Sequence, residues 1–126
     1  MPPVTRPTHS NIQAAQELIP VHARRFVQRY SAALSPLAEL LAEPAVPAVT
    51  AIGALAQLQG AMPEITQLRR ELAGAVLLGG GSRRMTAAAC GVTPGTLTLW
   101  GPGTWAEALG VEVLRDPEAR DGWRAA

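Results

Sequence analysis

Between Ser82 and Trp100 the chain is punctuated so tightly that it fits one local arrangement, two short helices meeting at a sharp turn. Gly91 can take the positive φ that closes a helix with a left-handed cap. Thr93 is a good N-cap, and Pro94 follows at the first helical position, where its missing N–H costs nothing. Ala87 is small enough for a second helix to cross close by. Val92, Leu97 and Trp100 are placed to fill the wedge between the two helices.

Through Ala87, the turn Gly91-Val92-Thr93 and the apolar Leu97 and Trp100, this stretch resembles the generic bacterial helix-turn-helix DNA-binding module, over about residues 82–101. The resemblance implies a second helix lying in the major groove of double-stranded DNA. It implies Arg83 and Arg84 on phosphates, with Thr93, Gly95, Thr96 and Thr98 near base edges or backbone. A twofold homodimer would then read two half-sites about one helical turn apart. One departure matters. The second helix presents Thr93, Pro94, Gly95, Thr98 and Leu99, and none of these is Arg, Lys, Asn or Gln, the residues that bond base edges in bidentate fashion. Specificity is expected to lean on backbone contacts and DNA shape. The same bare helix supports a second reading, a helical protein-interaction or assembly subunit with a degenerate motif, docking through residues 96–99.

The 126 residues suit one domain, and the apolar fraction of 48% supports a core. Much of that fraction is Ala, and aromatics are 4%. A thin, Ala-rich helical core often depends on a second subunit for burial. All 11 basic residues are Arg. With the abundant Ala, Gly and Pro, this points to a GC-rich bacterial or phage genome, and Arg also suits phosphate recognition. The net charge of +1 gives no global basic field. Residues 82–100 carry Arg83 and Arg84 and no acid, whereas the tail holds Glu107, Glu112, Asp116, Glu118 and Asp121 against Arg115, Arg120 and Arg124. A DNA-binding face is therefore expected on the motif and not on the tail.

The expected fold class is all-α, a small multi-helix domain with its helix-turn-helix in the C-terminal third. Residues 1–9 read as a flexible arm, 10–78 as a helical core and dimerisation region, and 102–126 as a tail with short helices. Ser10 or Asn11 caps a first helix, and Pro20 kinks it or starts a second. Ala23, Phe26, Val27, Tyr30 and Leu34 form an apolar stripe, with His22, Arg25 and Arg29 on the opposite, exposed side. Ser35-Pro36 starts a short helix, and Glu43 to Pro47 is a break. A helix from Ala48 ends near Gly60, and Pro63 opens a stronger one carrying Ile65, Leu68, Leu72 and Val76. Gly79-Gly80-Gly81 reads as a flexible joint. Beyond Trp100, Thr104 caps a short helix, residues 111–114 form a brief strand, and Asp116-Pro117 starts a last helical turn with an exposed Trp123.

Other chemistries find little support. Residues 1–8 lack the apolar stretch of a signal peptide. The uncharged run from Pro44 to Pro63 is long enough to span a membrane, but its alanines, glutamines and prolines argue for a buried helix instead. The expected location is cytoplasmic. The triple glycine follows a helix and lacks the Lys of a phosphate loop. The lone Cys90 reads as a small inward apolar residue. His9 and His22 have no ligand-type neighbour at metal spacing, so neither a metal nor a cofactor is expected. No nucleophile–base pattern is visible, and the chain is not read as an enzyme. Trp105 and Trp123 either dock the tail or sit at a subunit contact.

Overall fold

The computed structural model describes residues 5–126. Among these, the chain is mostly helical. Helix α1 (His9–Glu39) and helix α2 (Ala48–Leu78) are each 31 residues long. They are followed by α3 (Arg83–Cys90), α4 (Pro94–Leu99) and a short 3-10 segment, Trp105–Ala108. Strands β1 (Val113–Arg115) and β2 (Trp123–Ala125) form an antiparallel pair in which Leu114 faces Arg124.

The long helices differ from the expected segmentation. Pro20 and Pro36 lie inside α1, and Gly60 and Pro63 inside α2, without interrupting either. An interior Pro removes one backbone hydrogen bond and crowds the preceding turn. Here packing between the helices overrides that local cost, as it does for most helices in proteins. α1 and α2 run antiparallel as a hairpin. Ala14, Ala15 and Leu18 near the start of α1 meet Ala75 and Leu78 near the end of α2. Ala33 meets Ala61 and Ile65 further along, flanked by Phe26, Tyr30, Leu58 and Met62. Alanine at these contacts lets the helix axes approach closely.

The cap of α1 lies earlier than Ser10. Thr8 accepts from the Asn11 backbone N–H at 3.0 Å, and the Asn11 side chain accepts from the Thr8 N–H at 3.1 Å. These two reciprocal bonds form a capping box. Asn11 is fully buried and also ties down the tail. Its Oδ1 accepts from the Gly110 N–H at 2.8 Å, and its Nδ2 donates to the Val111 carbonyl at 2.7 Å.

The triple glycine is a packed corner and not a loose joint. Gly80 has φ +89°, and a Cβ on Gly79 would come within 2.9 Å of the Ala15 methyl. The Gly81 N–H bonds the Val76 carbonyl at 3.0 Å, closing the end of α2.

The end of the chain is a small hairpin of strands where a last helical turn was expected. Trp123 is buried, against the expectation of exposure, and packs with Ala108, Val113 and the start of α1. Its Nε1 donates to Glu17 Oε2 at 2.9 Å, while Arg115 donates to Glu17 Oε1 at 2.7 Å and covers the Trp123 ring. Trp105 Nε1 donates to Asp121 Oδ2 at 2.9 Å. The Trp105 ring also packs against the cluster of Ala14, Leu18, Ala75 and Leu78, so both tryptophans dock the tail onto the long helices. No helix among the described residues is long and apolar enough to cross a membrane.

Candidate nucleic-acid interface

The second unit of the fold grows from local chemistry. Ser82 accepts from the Met85 N–H at 3.2 Å and caps α3. Gly91 has φ +70°. The Val92 N–H bonds the Ala87 carbonyl at 3.0 Å and the Gly91 N–H bonds the Ala88 carbonyl at 3.1 Å, the paired closure of a Schellman turn. Thr93 then accepts from the Thr96 N–H at 3.1 Å and starts α4, with Pro94 first in line. Ala87, Leu97 and Trp100 are buried together against Ala73 and Leu77 of α2, with Cys90 and Val92 at the margin. The wedge and the inward Cys90 fall where the residue types place them.

Pro94, Gly95, Thr98 and Leu99 face outward, as do Arg83, Arg84 and Thr93, while Thr96 is half-buried. Several of the hydroxyls are already engaged. Thr93 Oγ1 is the cap and donates to Thr96 Oγ1 at 3.1 Å. Thr98 Oγ1 donates to the Pro94 carbonyl at 3.0 Å and lies 3.4 Å from Arg83 Nη1, which donates to it. The outward face of α4 therefore offers mainly carbon, above all Leu99.

The arginines are sorted by position. Arg25, Arg29, Arg115, Arg120 and Arg124 pair with Asp121, Glu64, Glu17, Glu71 and Asp116. Of the six that make no ion pair among the described residues, five surround α3 and α4. Arg6, Arg83 and Arg84 line one groove of about 710 Å³ beside the start of α3, with no acid in its wall. Arg69 and Arg70 lie over the Trp100 ring at 5.1 and 5.7 Å. Sequence reading missed Arg6, Arg69 and Arg70, which the fold brings in from either side. A signal for the last two was present, because Arg69 and Arg70 sit on the helix whose apolar stripe supports Trp100.

His22, Arg25 and Arg29 do not form the expected exposed face. His22 is 2% exposed, and its Nε2 lies 3.5 Å from Asp121 Oδ2. Arg25 donates to Asp121 Oδ1 at 2.6 Å, and Arg29 to Glu64 Oε2 at 2.7 Å. His22 continues the buried series Asn11, Ala14, Ala15 and Leu18 by one more turn, and that spacing was legible. Burial favours the neutral imidazole and lowers the His22 pKa. Burial raises that of Asp121, but hydrogen bonds from Arg25 and Trp105 outweigh it and hold the carboxyl below its ordinary value.

No protein-family model matches the chain, and neither a curated protein nor a solved structure matches it.

Proposed function

We propose that this chain is a small DNA-binding protein, a transcriptional regulator that contacts duplex DNA through a helix-turn-helix formed by α3 and α4. The observation that carries this reading is the sorting of charge. Five arginines are held in ion pairs with acids of the long helices and of the tail, whereas Arg6, Arg69, Arg70, Arg83 and Arg84, which make no ion pair among the described residues, gather about α3 and α4. Arg forks and the N-terminus of α3 suit phosphate oxygens. α4 would lie along the major groove and touch thymine methyl groups through Leu99, with DNA shape supplying most of the discrimination.

The chain would act as a dimer joined through the far part of the long hairpin. Residues 44–63 contain no charge. Val49, Ile52 and Leu55 are 74, 63 and 56% exposed there, and Leu41 lies beside them at the tip. An uncharged helix face of this kind is a subunit contact or a liability.

The test is a fluorescence-anisotropy titration of random duplex DNA across a salt series. Affinity is expected to fall steeply with salt, and Arg83→Ala with Arg84→Ala to lower the log–log slope by about two, roughly one per lost phosphate contact. Ile52→Glu with Leu55→Glu is expected to give a monomer in sedimentation and weaker DNA binding. No binding at low salt by a verified dimer overturns the proposal. That outcome favours the second reading, a protein-interaction subunit, which the exposed Met85 and Leu99 and the absence of any arginine on α4 support.

A further inference from the structure

A cavity of about 490 Å³ lies away from the arginine face, between the two long helices and the tail. Its size falls within the range of small-molecule pockets. Its wall includes His22, Glu71, Trp105, Glu107, Arg120 and Asp121.

Two wall residues carry buried polar atoms with no hydrogen-bond partner among the described residues. They are both ring nitrogens of His22, which is 2% exposed, and Oε2 of Glu71. Buried polar groups in native proteins are nearly always paired. The remaining groups are largely committed. Asp121 accepts from Arg25 and Trp105, and Glu107 Oε1 accepts from the Gly103 N–H at 2.8 Å. Arg120 lies 3.7 Å from Glu71 Oε1, on the exposed side.

The missing partner has a definite chemistry. Ionised Asp121 can only accept, so the His22 nitrogen 3.5 Å from it, Nε2, carries the ring hydrogen. Nδ1 is then a bare lone pair, and Glu71 Oε2 is another acceptor. Apart from the guanidinium of Arg120 on its exposed side, the site lacks free donors. It also lacks positive charge, since Glu71, Glu107 and Asp121 outnumber the guanidiniums of Arg120 and of Arg25 behind Asp121. Trp105 supplies an aromatic surface. The rings of Trp100 and Trp123 are already covered by Arg69, Arg70 and Arg115, and that of Trp105 has no such cation among the described residues.

We propose that this cavity binds a small organic cation, an alkyl- or arylammonium whose N–H groups bond Glu71 Oε2 and His22 and whose apolar body lies against Trp105. An ammonium group beside an indole face gains a further electrostatic attraction.

The experiment titrates the full ¹⁵N-labelled chain with benzylamine, benzyl alcohol and benzoate and follows the three indole N–H signals. Benzylamine is expected to displace the Trp105 signal saturably at roughly millimolar concentration, with benzyl alcohol about tenfold weaker or more. Benzoate should leave the signal in place, and the Trp100 and Trp123 signals serve as internal references. Glu71→Gln should weaken benzylamine at least about tenfold. The proposal is overturned if benzylamine gives no saturable displacement, if the alcohol or benzoate binds equally well, or if a folded Glu71→Gln binds benzylamine unchanged. Should Glu71→Gln fail to fold, the ranking of the three probes on the native chain decides alone.

Discussion

Replacing Asn11 with Ala should cost more than any other single polar change in this chain. Asn11 is fully buried and makes three side-chain bonds, accepting from Thr8 and Gly110 and donating to Val111. Each is worth about 1 kcal/mol net. The truncation also strands the Gly110 N–H and the Val111 carbonyl, but both residues are exposed, so water can recover some of that loss. The expected destabilisation is about 2–4 kcal/mol. Against a total stability of about 5–15 kcal/mol, that is a large share. Urea unfolding followed by helical circular dichroism measures it. With an m-value of about 2 kcal/mol/M, the midpoint should fall by about 1–2 M. Asn11→Asp sharpens the test. It keeps an acceptor for Thr8 and Gly110 but sets a carboxylate oxygen against the Val111 carbonyl. It should be at least as damaging at neutral pH and should recover in part at acid pH, where the protonated carboxyl can donate. A loss below about 1 kcal/mol for Asn11→Ala would refute the idea that this side chain locks the tail to α1.

Two further outcomes follow from geometry and charge. Gly74→Ala places a methyl 2.5 Å from Thr104 Oγ1, which is held by the Gly101 carbonyl at 2.8 Å. Overpacking should outweigh the helix-propensity gain and leave a net loss of about 1–2 kcal/mol in the same urea assay; a stabilised variant would contradict the packing described. For His22, facing Asp121, Arg25, Glu71 and Arg120, the folded pKa is lowered by burial. The unfolded chain then takes up a proton near pH 6.5 that the folded chain refuses. Stability should be level above that pH and fall as pH drops below it, by up to about 1.4 kcal/mol per unit until the folded value is reached. His22→Gln should flatten that slope, and an unchanged slope would argue against a neutral, buried imidazole.

The small helices were legible because their boundaries depend on neighbours in sequence. Ser82, Gly91, Thr93 and Pro94 each act on backbone within a few residues, and their chemistry fixed α3, the turn and α4. The long helices were misread for the opposite reason. Pro20, Pro36, Gly60 and Pro63 are local stop signals, but what holds α1 and α2 together is contact across a hairpin, such as Ala33 with Ala61. In the tail the Thr104 cap and a strand near residues 111–114 were legible, but the last segment and its docking were misread because their partners are remote. Nothing near Trp123 in sequence announces Glu17, and nothing near Gly110 announces Asn11. The same remoteness hid the acceptor-rich cavity, whose wall draws on α1, α2 and the tail.

The hairpin of α1 and α2 also acts as a ruler. At 31 residues each, its arms are about 46 Å long, with α3 and α4 at one end and the uncharged tip at the other. Under the proposed function, copies meeting tip to tip would hold their two α3–α4 units about 90 Å apart, or about 27 base pairs along straight DNA. Copies lying flank to flank would bring those units much closer together. The distance between protected segments in a footprint would therefore reveal how two hairpins embrace before any complex is crystallised.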